Sequence, residues 1–99
     1  MESISFRWNE NKADDNRGKH GISFEEAQTV FEDSNARMIF DPEHSADEDR
    51  FILLGISSAL RLLVVCHCYR EDDSVIRIIS ARKATPKEQK QYRSFYHEK

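Results

Sequence analysis

The chain has 99 residues, 33% of them charged and 38% hydrophobic, with a formal net charge of −3. That is one domain's worth of sequence, residues 1–99. Its apolar runs are too strong for disorder, and 3 Gly, 2 Pro and 2 Cys are too few for a collagen-like or disulfide-rich scaffold.

Residues 3–8 alternate loosely, with Ile4, Phe6 and Trp8 on one side, and read as a first strand. Asn9 is a helix cap, the helix runs over 10–20, and Gly21 supplies the left-handed stop. Ser23 with Glu26 three residues on is a capping box. Phe24, Ala27, Val30 and Phe31 give the helix it opens one apolar face, ending near Phe31 or Glu32. Asp33-Ser34-Asn35 is a turn, and 36–40 a strand. Residues 41–49, with a proline and five acidic side chains, form a polar loop. Strands follow at 50–57, 61–70 and 75–82, joined by a tight connection and a hairpin loop at 71–74. Thr85-Pro86-Lys87-Glu88 is a second capping box with proline at its favoured place, opening a helix towards Phe95. The order is β-α-α-β-β-β-β-α. Short links between the last four strands make an antiparallel meander, so the expected fold is α+β, an antiparallel sheet with helices covering its apolar face.

No stretch approaches the roughly 20 apolar residues of a membrane span, and residues 1–8 are unlike a signal peptide. A cytoplasmic protein without membrane contact is expected. Charge is divided along the chain. Residues 1–49 hold 5 Lys/Arg against 13 Asp/Glu, and residues 50–99 hold 10 against 5, so an anion-binding surface belongs to the second half.

If the hairpin pairs residue 70 with 75, then Tyr69 opposes Ile76, His67 opposes Ile78, and Arg82 lies across from Leu63. His67, Tyr69, Ser80 and Arg82 then share a sheet face, and Arg70, Arg77, Cys66 and Cys68 take the other. An imidazole, a phenol and a guanidinium on one face suit phosphodiester cleavage. The imidazole moves a proton near neutral pH and the guanidinium meets the charge of a phosphorane. Equally, His67 and Tyr69 could be partly buried sheet residues with satisfied hydrogen bonds. Arg82 and Lys83 sit between the last strand and the Thr85 cap, and Lys87, Lys90 and Arg93 extend that basic patch. Lys19 and His20 end the first helix, where its dipole stabilises cations. Cys66-His67-Cys68 is no metal site, because in a strand the imidazole points away from both thiols. Asp41-Pro42-Glu43-His44-Ser45 reads as a capped turn, with an acid–base cluster as the sharper alternative. No P-loop, GxGxxG, HExxH or GxSxG occurs, and neither metal nor cofactor is expected.

Taken together, Phe6-Arg7-Trp8-Asn9-Glu10-Asn11-Lys12, Lys19-His20-Gly21-Ile22-Ser23-Phe24-Glu25-Glu26-Ala27, Asp41-Pro42-Glu43-His44-Ser45, Arg50-Phe51 and Arg77-Ile78-Ile79-Ser80-Ala81-Arg82-Lys83-Ala84-Thr85 resemble the BrnT family. The blocks run in family order from residue 6 to about 93. One departure is Leu60, where the resemblance leads one to expect glycine before Arg61. The resemblance implies a RelE-like ribonuclease fold and a toxin of a bacterial type II toxin–antitoxin pair that cleaves RNA and halts translation. It also implies a BrnA-type antitoxin that binds operator DNA, in a hetero-oligomer with the toxin. From the shared motifs it points to Arg82, Lys83, Lys19 and His20 as catalytic, to which the hairpin reading adds Arg61, His67 and Tyr69. Lys87, Lys90, Arg93 and Arg77 are the expected RNA contacts. The expected chemistry is metal-independent attack by the RNA 2′-hydroxyl, with His67 or His20 as base. The rivals are a non-catalytic binding module and an inactive toxin serving as co-repressor subunit.

Overall fold

A computed structural model of the chain describes residues 4–40 and 49–97; the Asp41-to-Ser45 cluster lies outside the described residues. The elements are β1 (Ser5–Arg7), α1 (Glu10–His20), α2 (Phe24–Thr29), a one-turn 3-10 helix (Val30–Glu32), β2 (Arg37–Phe40), β3 (Phe51–Ile56), β4 (Leu62–Arg70), β5 (Val75–Lys83) and α3 (Pro86–His97). The caps work as their sequences suggest. Asn9 accepts from the Lys12 amide at 3.1 Å, Ser23 from the Glu26 amide at 3.0 Å, and Gly21 closes α1 at φ 68°.

The five strands lie in the order β1-β5-β4-β3-β2. β2 to β5 form the expected antiparallel meander, while β1 pairs parallel with β5 at the edge. That parallel pairing is possible because the long excursion through α1 and α2 separates β1 from the meander. Alternating strand residues build two cores. Leu53, Leu63, Val65, Ile78 and Ala81 are buried with Ala13, Ile22, Phe24, Ala27 and Val30 of the α1–α2 segment and the turn after it. Leu54 and Val64, on the opposite face, pack with Ala84 and with Tyr92 of α3. Helices therefore cover both faces, not one.

Two contacts fix the top of β5, the end that carries Arg82 and Lys83. β1 pairs only with Val75, Ile76 and Arg77. Higher up, the buried Asn16 side chain of α1 takes the place of a missing strand. Its carboxamide donates to the Ala81 carbonyl at 2.8 Å and accepts from the Ala81 amide at 3.0 Å, with a further bond to the Ile22 carbonyl at 3.0 Å. A carboxamide presents the same donor and acceptor as a peptide, so the edge is satisfied without a backbone neighbour.

Candidate functional site

At its closed end the β4–β5 hairpin has the expected register, with Arg70 opposite Val75, Tyr69 opposite Ile76 and His67 opposite Ile78. Beyond His67 the register slips. Cys66 faces Ser80, Val64 faces Arg82 and Leu63 faces Lys83, which leaves Ile79 as the extra residue of a β-bulge. One extra residue inverts every side chain that follows it. The expected grouping of His67, Tyr69, Ser80 and Arg82 on one face is thereby corrected. Ser80 and Arg82 join Arg77 and the two cysteines on the α3 side, while His67 and Tyr69 stay on the α1–α2 side.

His67 is fully buried. Its ring lies among Phe31, Phe51 and Tyr69, at centroid distances of 4.8, 6.1 and 5.4 Å. Nδ1 bonds the Val65 carbonyl at 3.2 Å, which requires Nδ1 to carry the proton, and Nε2 is buried without a partner. Burial lowers its pKa below the usual imidazole range, so the ring is neutral at neutral pH. It is a core residue that RNA cannot touch. Tyr69 is half-buried beside Phe51, donates to Met38 Sδ at 3.2 Å, and burial pushes its phenol up.

Arg82 lines a cleft of about 230 Å³ with Arg50, Ile52, Cys66, Ile79 and Ser80. Its Nη1 and Nη2 grip the two oxygens of Glu88, the N3 residue of the α3 capping box, at 2.8 and 2.9 Å. Glu88 also accepts from the Thr85 amide at 2.8 Å. The guanidinium above all, with the backbone bond, holds Glu88 down to about 2 against burial. These bonds orient the guanidinium and leave its side edge, Nε–H and one Nη2–H, outside the ion pair. Two parallel donors of that kind match two phosphate oxygens.

A second cluster forms at the sheet end, on the α1–α2 side. Arg61 donates through Nε to Glu26 at 2.9 Å and through Nη2 to the same carboxylate, and reaches the Gly21 carbonyl at 3.3 Å. Ser57 donates to Glu26 at 2.7 Å. Arg61 holds Glu26 below the usual carboxylate range, against burial and with smaller help from Ser57 and Lys83. Lys83 thus sits near this pair, and Lys19 and His20, both exposed, directly precede Gly21. The end of β5 therefore carries one cation on each face, Arg82 towards α3 and Lys83 towards α1–α2.

The expected RNA contacts are divided. Lys87, Lys90 and Arg93 are exposed on α3. Arg77 lies at the other end of β5 with Arg7, Trp8 and Arg70 around a separate cavity of about 490 Å³, where Arg7 pairs with Glu71 at 3.0 Å. No pattern in the sequence singles out Asn16, and only the shared Arg50-Phe51 block marks Arg50. The two capping boxes signal Glu26 and Glu88 as cap residues, but not as arginine partners. Among the described residues no three His, Cys, Asp or Glu side chains converge as metal ligands.

A fold of this order with a basic sheet end defines a class that sequence comparison makes specific. The family of the ribonuclease toxin BrnT, of type II toxin–antitoxin systems, matches residues 8–88. The chain belongs to that family, and such systems pair each toxin with an antitoxin. The fold is similar to the 1.1 Å crystal structure of the Brucella abortus ribonuclease toxin BrnT, with a TM-score of 0.60 and 24% identity over 86% of this chain and 99% of that one. No curated protein sequence matches the chain.

Proposed function

We propose that the chain cleaves RNA without a metal ion, by attack of the 2′-hydroxyl on the adjacent phosphate, and that this cleavage blocks translation. The observation that carries the reading is the Arg82 side edge, held open by Glu88 at the end of β5, with Lys83 on the opposite face of the same strand end. The scissile phosphate lies over that end. His20, exposed next to Gly21, whose carbonyl accepts from Arg61, takes the 2′-hydroxyl proton; His67 has no route to it. The new 2′-O–P bond forms as the P–O5′ bond breaks, and the leaving O5′ takes a proton from water. Arg82 and Lys83 meet the negative charge that builds on the phosphorane, with Lys19 and Arg61 adding to the local field. Lys87, Lys90 and Arg93 guide the strand along α3, and Arg77 meets RNA reaching the far end of the sheet. Tyr69 stands outside this geometry. A BrnA-type antitoxin, itself bound to operator DNA, holds the toxin in a hetero-oligomer in the bacterial cytoplasm.

The test is cleavage of a defined RNA with and without EDTA, with fragment ends read by mass spectrometry. The expected ends are a 2′,3′-cyclic phosphate and a 5′-hydroxyl, formed equally in EDTA. Strict magnesium dependence with 3′-hydroxyl ends would reject the mechanism. Arg82→Ala is expected to slow single-turnover cleavage by roughly 100-fold or more, the scale of one lost oxyanion donor. A folded Arg82→Ala protein cleaving at the wild-type rate would remove Arg82 from the site.

A further inference from the structure

Two cavities, of about 620 and 540 Å³, adjoin one another along α3 and the turn between β3 and β4. They share Ile56, Tyr92 and Arg93, so they are two parts of one groove. Its most unusual feature is Leu60. This side chain is 85% exposed, and its backbone is left-handed at φ 62°, a conformation that leucine rarely adopts. The turn is fastened from several sides. The Ser57 amide donates to the Arg61 carbonyl at 2.9 Å, the Leu60 amide to the Ser57 carbonyl at 2.9 Å, and the Ser58 amide to Thr29 Oγ1 at 2.8 Å. A bulky apolar residue held in a strained, exposed position is a cost to the monomer that function can explain. Ile56, 36% exposed, continues the apolar surface into the groove.

We infer that this groove is the docking site of the antitoxin, and that it takes an acidic, amphipathic segment with an apolar side chain packed on Leu60 and Ile56. The inference rests on the reading that the chain has an antitoxin partner. Charge complementarity sets the chemistry. Exposed Lys83 and Arg93 stand on the rim by Leu60, and both call for carboxylates. RNA bases suit the groove poorly, although RNA phosphates reach Lys83 and Arg93 on its rim. Its one aromatic ring, Tyr92, is 6% exposed with its hydroxyl committed to Asp33 at 2.6 Å, so it offers no stacking face. Glu32 and Asp33 line the other cavity, so the segment's carboxylates belong at the Lys83–Arg93 end of the groove. A segment seated here also lies across Lys83, which explains how the antitoxin silences cleavage: it covers one of the two cations at the end of β5.

Leu60→Asn separates anchor from fold, because asparagine tolerates the left-handed backbone better than leucine. The full-length variant and wild type are compared against the purified co-expressed antitoxin by calorimetry, alongside melting and RNA cleavage. The expected result is a melting temperature no lower than wild type, unchanged cleavage, and antitoxin affinity weakened by at least about 30-fold, the scale of an interface hot spot. In cells, the antitoxin no longer suppresses growth arrest by the variant. Leu60→Gly, which suits the backbone still better, must behave the same way. Affinity within two-fold of wild type in a folded variant overturns the inference. So does a loss of RNA affinity with antitoxin binding intact, which gives the groove to RNA, or the loss of a toxin dimer instead, which gives it to a second copy. A wild-type chain that binds no antitoxin defeats the partner reading itself, a result distinct from all of these.

Discussion

His67 shows how much a single residue's surroundings decide. Its neighbours on β4 gave equal reason to expect a general base or a packed ring, and three aromatic rings around it make it the second. Because the folded pKa lies below that of the unfolded chain, the unfolded state takes up the proton first as pH falls. The stability His67 supplies is complete above about pH 6.5 and declines as pH drops towards its folded value. Glu26 and Glu88 act in a lower window. Both are depressed by their arginines, so their stabilisation holds above about pH 4.5 and is lost below it, for Glu88 on the way to about 2. Denaturant melts from pH 8 to 5 are therefore expected to show falling stability in wild type. His67→Leu should flatten that decline and leave stability at pH 8 nearly unchanged or slightly higher, since it removes an unpartnered buried nitrogen at the cost of one bond to Val65. It should also leave cleavage intact. A cleavage loss in a well-folded His67→Leu protein would return the imidazole to the site.

At the scale of elements, the sheet and its helices are largely legible in the sequence, and the site is not. Capping residues at Asn9, Ser23 and Thr85 mark helix starts because their side chains satisfy amides that nothing else can reach. The hairpin register near the turn follows from a four-residue loop. The bulge at Ile79 leaves no trace, because Ile78-Ile79-Ser80-Ala81 lacks a polar–apolar alternation that would mark either register. Two faces of one strand were exchanged as a result, and with them Arg82. Asn16 was equally silent, since its value comes from the strand edge that β1 fails to cover. Asn16→Ala should destabilise the protein by roughly 3 kcal/mol or more, as it strands the Ala81 amide and two carbonyls in the core. Urea melts measure this directly, and a change below about 1 kcal/mol would show the edge to be satisfied another way. Glu88→Gln addresses the next element. The amide keeps the cap on α3 but weakens its hold on Arg82, so kcat should fall about ten-fold through misplaced donors while KM does not rise. A raised KM with unchanged kcat would mean that Glu88 serves binding alone.

The whole molecule is acidic by count, with a sequence pI near 5.8, yet it is proposed to bind a polyanion. The resolution lies in where the charges fall. Seven of the ten cations of residues 50–99 are carried by β4, β5 and α3, and Lys83, Lys87, Lys90 and Arg93 are exposed there. The acids of α1 and α2 lie on the other side of the sheet from α3, except Glu26 at the sheet end, whose charge Arg61 offsets. Binding is then governed by local contacts with phosphates and not by net charge. Each cation that neutralises a phosphate of single-stranded RNA adds about 0.7 to the steepness with which log affinity falls against log salt. If Arg82, Lys83, Lys87, Lys90 and Arg93 all make such contacts, the slope should be about −3.5. Replacing Lys87 and Lys90 together with glutamine should reduce it by about 1.4 while leaving the cleavage rate at saturating RNA unchanged, because neither residue borders the phosphate that reacts. Fluorescence anisotropy of a labelled, non-cleavable 2′-deoxy substrate across a salt series reads the slope without interference from turnover. A slope near zero in wild type would mean that the basic half of the chain does not meet the RNA backbone, and that the cations of α3 are kept for the antitoxin.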